Sequence, residues 1–75
     1  MMVTNEDVLA ALEGVEVSTP ISDIRVDVPL VQQGLDSLDL ATLMLALESK
    51  YKKTIPPEKS ARLRTINDIV AFLNA

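Results

Sequence analysis

Neither cysteine nor histidine occurs among the 75 residues. Their absence excludes a disulfide framework, a Cys/His zinc site, a thiol nucleophile and an imidazole base. Aromatic side chains make up only 3% of the chain, so Leu, Ile and Val must supply any core. No apolar run is long enough to span a bilayer, and the opening Met1-Met2-Val3-Thr4-Asn5-Glu6 has neither the basic segment nor the apolar stretch of a signal peptide. A cytoplasmic location without a membrane partner is expected. The formal charge of −4 disfavours attraction to nucleic-acid backbones and favours partners that carry basic patches.

What is present suits one small folded domain over residues 1–75, expected to act as a monomer. Apolar residues form 48% of the chain and charged residues 24%, proportions of a folded globular domain rather than a disordered one. At this length folding buries only roughly 60% of the unfolded chain's surface. The core is therefore thin, and a binding site is expected at or near the surface.

The periodicity predicts an all-α fold of three main helices and one short one. Thr4 with Asp7 three residues on forms a capping-box pattern, flanked by Val3 and Val8 at the staple positions. A first helix should start there, carry Val8, Leu9 and Leu12 on one face, and stop near Glu13, with Gly14 as a left-handed terminator. Residues 14 to about 36 hold Pro20, Pro29 and Gly34 and show no sustained period, which predicts a long ordered loop. Such loops are often functional, although Val17, Ile21, Ile24, Val28 and Leu30 can equally serve to pin it over the core.

From Ser37 to Lys53 the period is clean, with Leu40, Leu43, Met44, Leu47 and Tyr51 on one stripe. Ile55-Pro56-Pro57 breaks this helix, because residues before proline leave helical geometry and two prolines remove two donors. A short turn of helix is predicted over Glu58 to Arg62. Thr65 and Asp68 then cap a last helix with Ile66, Ile69, Val70 and Leu73 inward.

Two features of the central helix do not follow from packing. Leu38 and Leu45 point roughly 140° to 160° away from the core stripe on a helical wheel, which makes them an exposed apolar pair. They are either isolated surface leucines or a docking patch. The second feature is Ser37, at the junction of loop and helix. As a helix N-cap it would be unremarkable. As an enzyme nucleophile it lacks the usual activating imidazole, so it is better suited to being a substrate. Asp36 and Asp39 beside it can complement the helix dipole, or in principle serve as acid and base or hold a metal. The latter uses need a burial that a thin bundle hardly offers.

The segment Gly34-Leu35-Asp36-Ser37-Leu38-Asp39 resembles the phosphopantetheine attachment motif of acyl carrier proteins, in which Asp-Ser-Leu opens the second helix. The likeness continues through Ala46-Leu47-Glu48, Ile55-Pro56 and Thr65-Ile66-Asn67-Asp68. The resemblance implies that a phosphopantetheinyl transferase esterifies Ser37 with the 4'-phosphopantetheine of coenzyme A, and that the chain is a carrier and not an enzyme. The arm's thiol would then hold the cargo. By the same resemblance Asp36 serves transferase recognition, while Leu38, Asp39, Ala41, Leu45 and Glu48 face the acyl-processing enzymes that are its partners.

The pattern departs at Thr42, Ser49, Lys50, Lys52 and Lys53, where bacterial fatty-acid carriers usually show several acids, and in a slightly longer loop before Ser37. From Ser37 to Lys53 two acids face three bases, a net of +1 that leaves −5 on the remainder. Service to a dedicated polyketide, specialised-lipid or aminoacyl pathway is thus as much expected as service to general fatty-acid synthesis. The rival from another class is an unmodified helical interaction module, with Ser37 a mere cap and Leu38 and Leu45 its docking patch.

Overall fold

The computed structural model describes residues 2–15 and 17–75. Among them every regular element is helical: α1 (Asn5–Leu12), α2 (Ser37–Tyr51), the short α3 (Pro57–Ser60) and α4 (Ile66–Asn74). The expected bundle of three main helices and a short one is what forms. α1 packs against α2 and α4, and the core between them is aliphatic, with Val8, Leu12, Leu43, Leu47, Ile66 and Ile69 all fully buried.

Local chemistry sets the helix starts. The Thr4 hydroxyl accepts the Asp7 N–H at 3.2 Å while the Asp7 carboxylate accepts the Thr4 N–H at 2.9 Å, and Val3 and Val8 beside them are buried. The Thr4 N–H, and after it the Thr4 hydroxyl, stabilise the Asp7 carboxylate and hold it below its ordinary pKa. Thr65 and Asp68 repeat the device at α4.

The helix ends depart from expectation. Gly14 does not adopt a left-handed conformation; α1 instead unwinds through i−3 hydrogen bonds from Gly14 and Val15 to Ala11 and Leu12. α2 ends at Tyr51 rather than Lys53, because Lys52 takes the left-handed role at φ 51° and the Lys53 N–H reaches back to the Glu48 carbonyl. α3 begins one residue before the predicted Glu58 and ends at Ser60 rather than Arg62. Pro57 occupies its first position, where a missing N–H costs nothing.

The segment from Val17 to Asp36 is an ordered loop with two 3₁₀ turns, Ile21–Asp23 and Leu30–Gln33. Ile24 and Leu30 are buried, and Val17 and Ile21 are half-buried against the same core. Four of the five expected residues thus pin the loop, and Val26 rather than Val28 packs against the core beside them. Backbone bonds from Leu30 N–H to the Arg64 carbonyl and from Asn67 N–H to the Val26 carbonyl tie the loop to the α3–α4 end. The Gln33 carboxamide adds a clamp, accepting the Arg25 N–H at 2.7 Å and donating to the carbonyls of Arg25 and Val28.

Gly34 closes this loop at φ 95°, and a Cβ there would stand 2.8 Å from the Thr19 hydroxyl oxygen. That hydroxyl donates to the Gln33 carbonyl. Gly34→Ala therefore meets both backbone strain and a collision, and is expected to cost about 1–3 kcal/mol. Urea unfolding should show the loss as a lower midpoint with an unchanged slope.

Candidate functional site

Gly34 and the buried Leu35 deliver the chain to the start of α2, where Asp36 is extended and Ser37 is the first helical residue. The cap is Asp36, not Ser37. Its Oδ1 accepts the Asp39 N–H at 2.9 Å, and the Asp39 carboxylate accepts the Asp36 N–H at 3.1 Å. At α1 and α4 a threonine hydroxyl is spent on this task. At α2 a carboxylate performs it, so the Ser37 hydroxyl is exposed and makes no hydrogen bond to the described residues.

Capping also bears on the acid-base reading of Asp36 and Asp39. Each carboxylate is engaged at the helix start; Asp36 is exposed and Asp39 half-exposed. No group of three or more acidic side chains stands close enough to hold a metal among the described residues.

Leu38 is 72% exposed and Leu45 65% exposed, and Ala41 between them also faces outward. The three are spaced at i, i+3 and i+7, so they form one apolar strip beginning beside Ser37. Next to it a cleft of about 390 Å³ runs from Ser37 between α2 and α3, with walls that include Leu40, Met44, Ile55 and Leu63. Glu48 borders the cleft, where its carboxylate accepts the Ile55 N–H at 2.6 Å. One of its oxygens thus ties α2 to the segment entering α3.

The lysines near the end of α2 are not equivalent. The Lys53 ammonium donates to the carbonyls of Phe72, Leu73 and Ala75 at 3.1–3.3 Å and lies over the Phe72 ring. It closes the C-terminus of α4, where a cation is favoured. Lys50 lies 5.5 Å from the Tyr51 ring centroid, and both it and Lys52 are exposed. Ser60 and Leu63 were not anticipated as cleft residues. Leu63, a lone aliphatic between Arg62 and Arg64, was the available signal.

The family model for the phosphopantetheine attachment site matches residues 6–73. The chain belongs to this family. Over 40 residues it is 42% identical to the acyl carrier protein of Helicobacter hepaticus, an alignment covering 53% of this chain and 53% of that protein. The chain thus spans about half the length of the curated relative it matches. 4'-Phosphopantetheine is the prosthetic group of the family, and its members are carriers rather than enzymes. The residues at the head of α2 fit such a group: the Ser37 hydroxyl is accessible, esterifying it breaks no hydrogen bond to a described residue, and an apolar cleft opens beside it. No helix of the described residues is long and apolar enough to cross a membrane.

Proposed function

We propose that Ser37 carries the arm and that the chain delivers acyl groups to the enzymes of a dedicated biosynthetic pathway. The observation that carries this reading is the exposed, uncommitted Ser37 hydroxyl at the mouth of the apolar cleft, with Asp36 holding the cap in its place. In the loading step the Ser37 Oγ loses its proton and bonds to the β-phosphorus of coenzyme A. The pyrophosphate link breaks, and adenosine 3',5'-bisphosphate leaves. The arm supplies a flexible thiol on which cargo travels as a thioester. Leu38, Ala41 and Leu45 offer partner enzymes an apolar strip, with Asp36, Asp39 and Glu48 as its acidic rim.

Incubation with coenzyme A and a broad-specificity phosphopantetheinyl transferase should add the mass of one arm to the intact chain. A chain left at its original mass would favour the interaction-module reading. Loading from acyl-coenzyme A tests the cleft. Each methylene that enters contributes about 0.8 kcal/mol, so the melting temperature should rise from the unloaded to the octanoyl form, by roughly 4–8 °C per kcal/mol gained. Equal melting temperatures would place the cargo in solvent.

Charge supports the dedicated pathway. A basic docking patch would meet Asp36 and Asp39 but be opposed by Lys50 and Lys52. Fatty-acid synthase enzymes should therefore accept cargo from this carrier slowly, and Lys50→Glu with Lys52→Glu should speed transfer through the association rate, most clearly at low salt. Each exposed charge is worth on the order of 1 kcal/mol or less. Lys53 is left in place because its ammonium closes α4. Rapid transfer by the unaltered chain, insensitive to salt and to both substitutions, would remove the case against the general pathway.

A further inference from the structure

A second cleft, of about 310 Å³, shares Leu40 with the first and lies between the Leu30–Gln33 turn and the residues that follow α3. Leu40, Ser60 and Leu63 line both clefts. Leu40 is half-buried, and the two spaces meet at its side chain. Their chemistry differs. In the first cleft the polar groups besides Ser37 are Glu48, which only accepts when ionised, and Ser60, whose hydroxyl already donates to the Pro57 carbonyl at 3.0 Å. An acyl chain bearing a ketone oxygen would bury that acceptor there without a donor, which is unfavourable. The second cleft combines apolar walls with the exposed side chains of Gln32 and Arg64, a carboxamide and a guanidinium rich in N–H donors.

We infer that the second cleft is a cargo site for acyl chains that carry acceptor oxygens, with Gln32 and Arg64 as the residues that select them and Leu40 where it meets the site for plain alkyl chains. The inference rests on the reading that Ser37 bears the arm. The arm is flexible and springs from the same α2–α3 face, so one carrier can place different cargoes in either cleft. Backbone bonds at both selecting residues are independent of their side chains: Gln32 N–H donates to the Pro29 carbonyl, and the Arg64 carbonyl accepts the Leu30 N–H.

The test compares the chain loaded at Ser37 with octanoyl and with 7-oxooctanoyl groups, cargoes of equal length that differ by one ketone oxygen. In amide correlation spectra, 7-oxooctanoyl loading should shift Val31, Gln32 and Arg64, and octanoyl loading should shift Ala41, Met44 and Leu45. The double variant Gln32→Leu, Arg64→Met should lose most of the gain in melting temperature from 7-oxooctanoyl loading and keep that from octanoyl. If both cargoes shift the same amides, if Val31, Gln32 and Arg64 do not respond, or if the double variant weakens both gains alike, the second cleft is not a cargo site. Failure of either cargo to attach at Ser37, seen by intact mass, overturns the parent reading and this one with it.

Discussion

Ser37→Ala is expected to abolish arm attachment while leaving stability within about 0.5 kcal/mol of the parent chain, and Asp36→Ala is expected to do nearly the reverse. Asp36 accepts the Asp39 N–H and anchors a reciprocal cap, so its truncation should cost about 0.5–2 kcal/mol. Ser37 follows the cap and its hydroxyl holds nothing among the described residues, and alanine is a good helix former at that position. Asp36→Asn separates folding from recognition, because an asparagine oxygen still caps well. That variant should unfold near the parent midpoint but accept the arm more slowly if the Asp36 charge guides the transferase. Intact mass against time, alongside urea unfolding, reads both effects. Attachment persisting in Ser37→Ala at another serine or threonine would displace the site. An Asp36→Asn chain modified at the parent rate would remove Asp36 from recognition.

The contrast between these two residues also shows what the sequence makes legible. Thr4 with Asp7 and Thr65 with Asp68 announce their helices because a cap is local chemistry, complete within four residues. Asp36 with Asp39 has the same spacing. Asp and Ser are about equally good caps and here are adjacent, so the cap is expected at Ser37; the reciprocal pairing with Asp39 places it one residue earlier, at Asp36. The outward Leu38 and Leu45 follow from the helical period and are exposed as predicted. Features made by distant parts of the chain were not legible. The Lys53 ammonium on the α4 carbonyls joins residues about 20 positions apart, and the Glu48 bond to Ile55 depends on how the chain turns after α2. Gly14 misled because glycine permits a left-handed ending without requiring one, whereas Lys52 accepts that conformation at a cost. The clefts exist only once α3 lies beside α2, so Ser60 and Arg64 carried no local sign of their place, and Leu63 only its apolar side chain between two arginines.

Leu43→Ala and Leu38→Ala, five residues apart on one helix, should part company by several kcal/mol. Leu43 is fully buried in the core and Leu38 is 72% exposed. Truncating a buried leucine removes its transfer free energy and leaves a cavity, about 2–5 kcal/mol together. A small domain commands only about 5–15 kcal/mol in all, so Leu43→Ala should consume much of the margin. Its melting transition should fall far below that of the parent. Leu38→Ala should melt within a few degrees of the parent, since it opens no cavity, makes no change to the Asp36 cap and does not line the cleft beside α3. Its cost should appear in recognition instead. If Leu38 anchors the apolar strip that partners cover, its loss should weaken docking by about 1 kcal/mol or more. The drop should be read as kcat/KM for arm transfer by the broad-specificity transferase, with KM carrying most of the change because Leu38 touches no reacting atom. A Leu38→Ala chain as unstable as Leu43→Ala would mean that the strip faces the core. One that is stable and modified at the parent kcat/KM would mean that Leu38 is an ordinary surface leucine, and that the transferase grips the head of α2 through its charges.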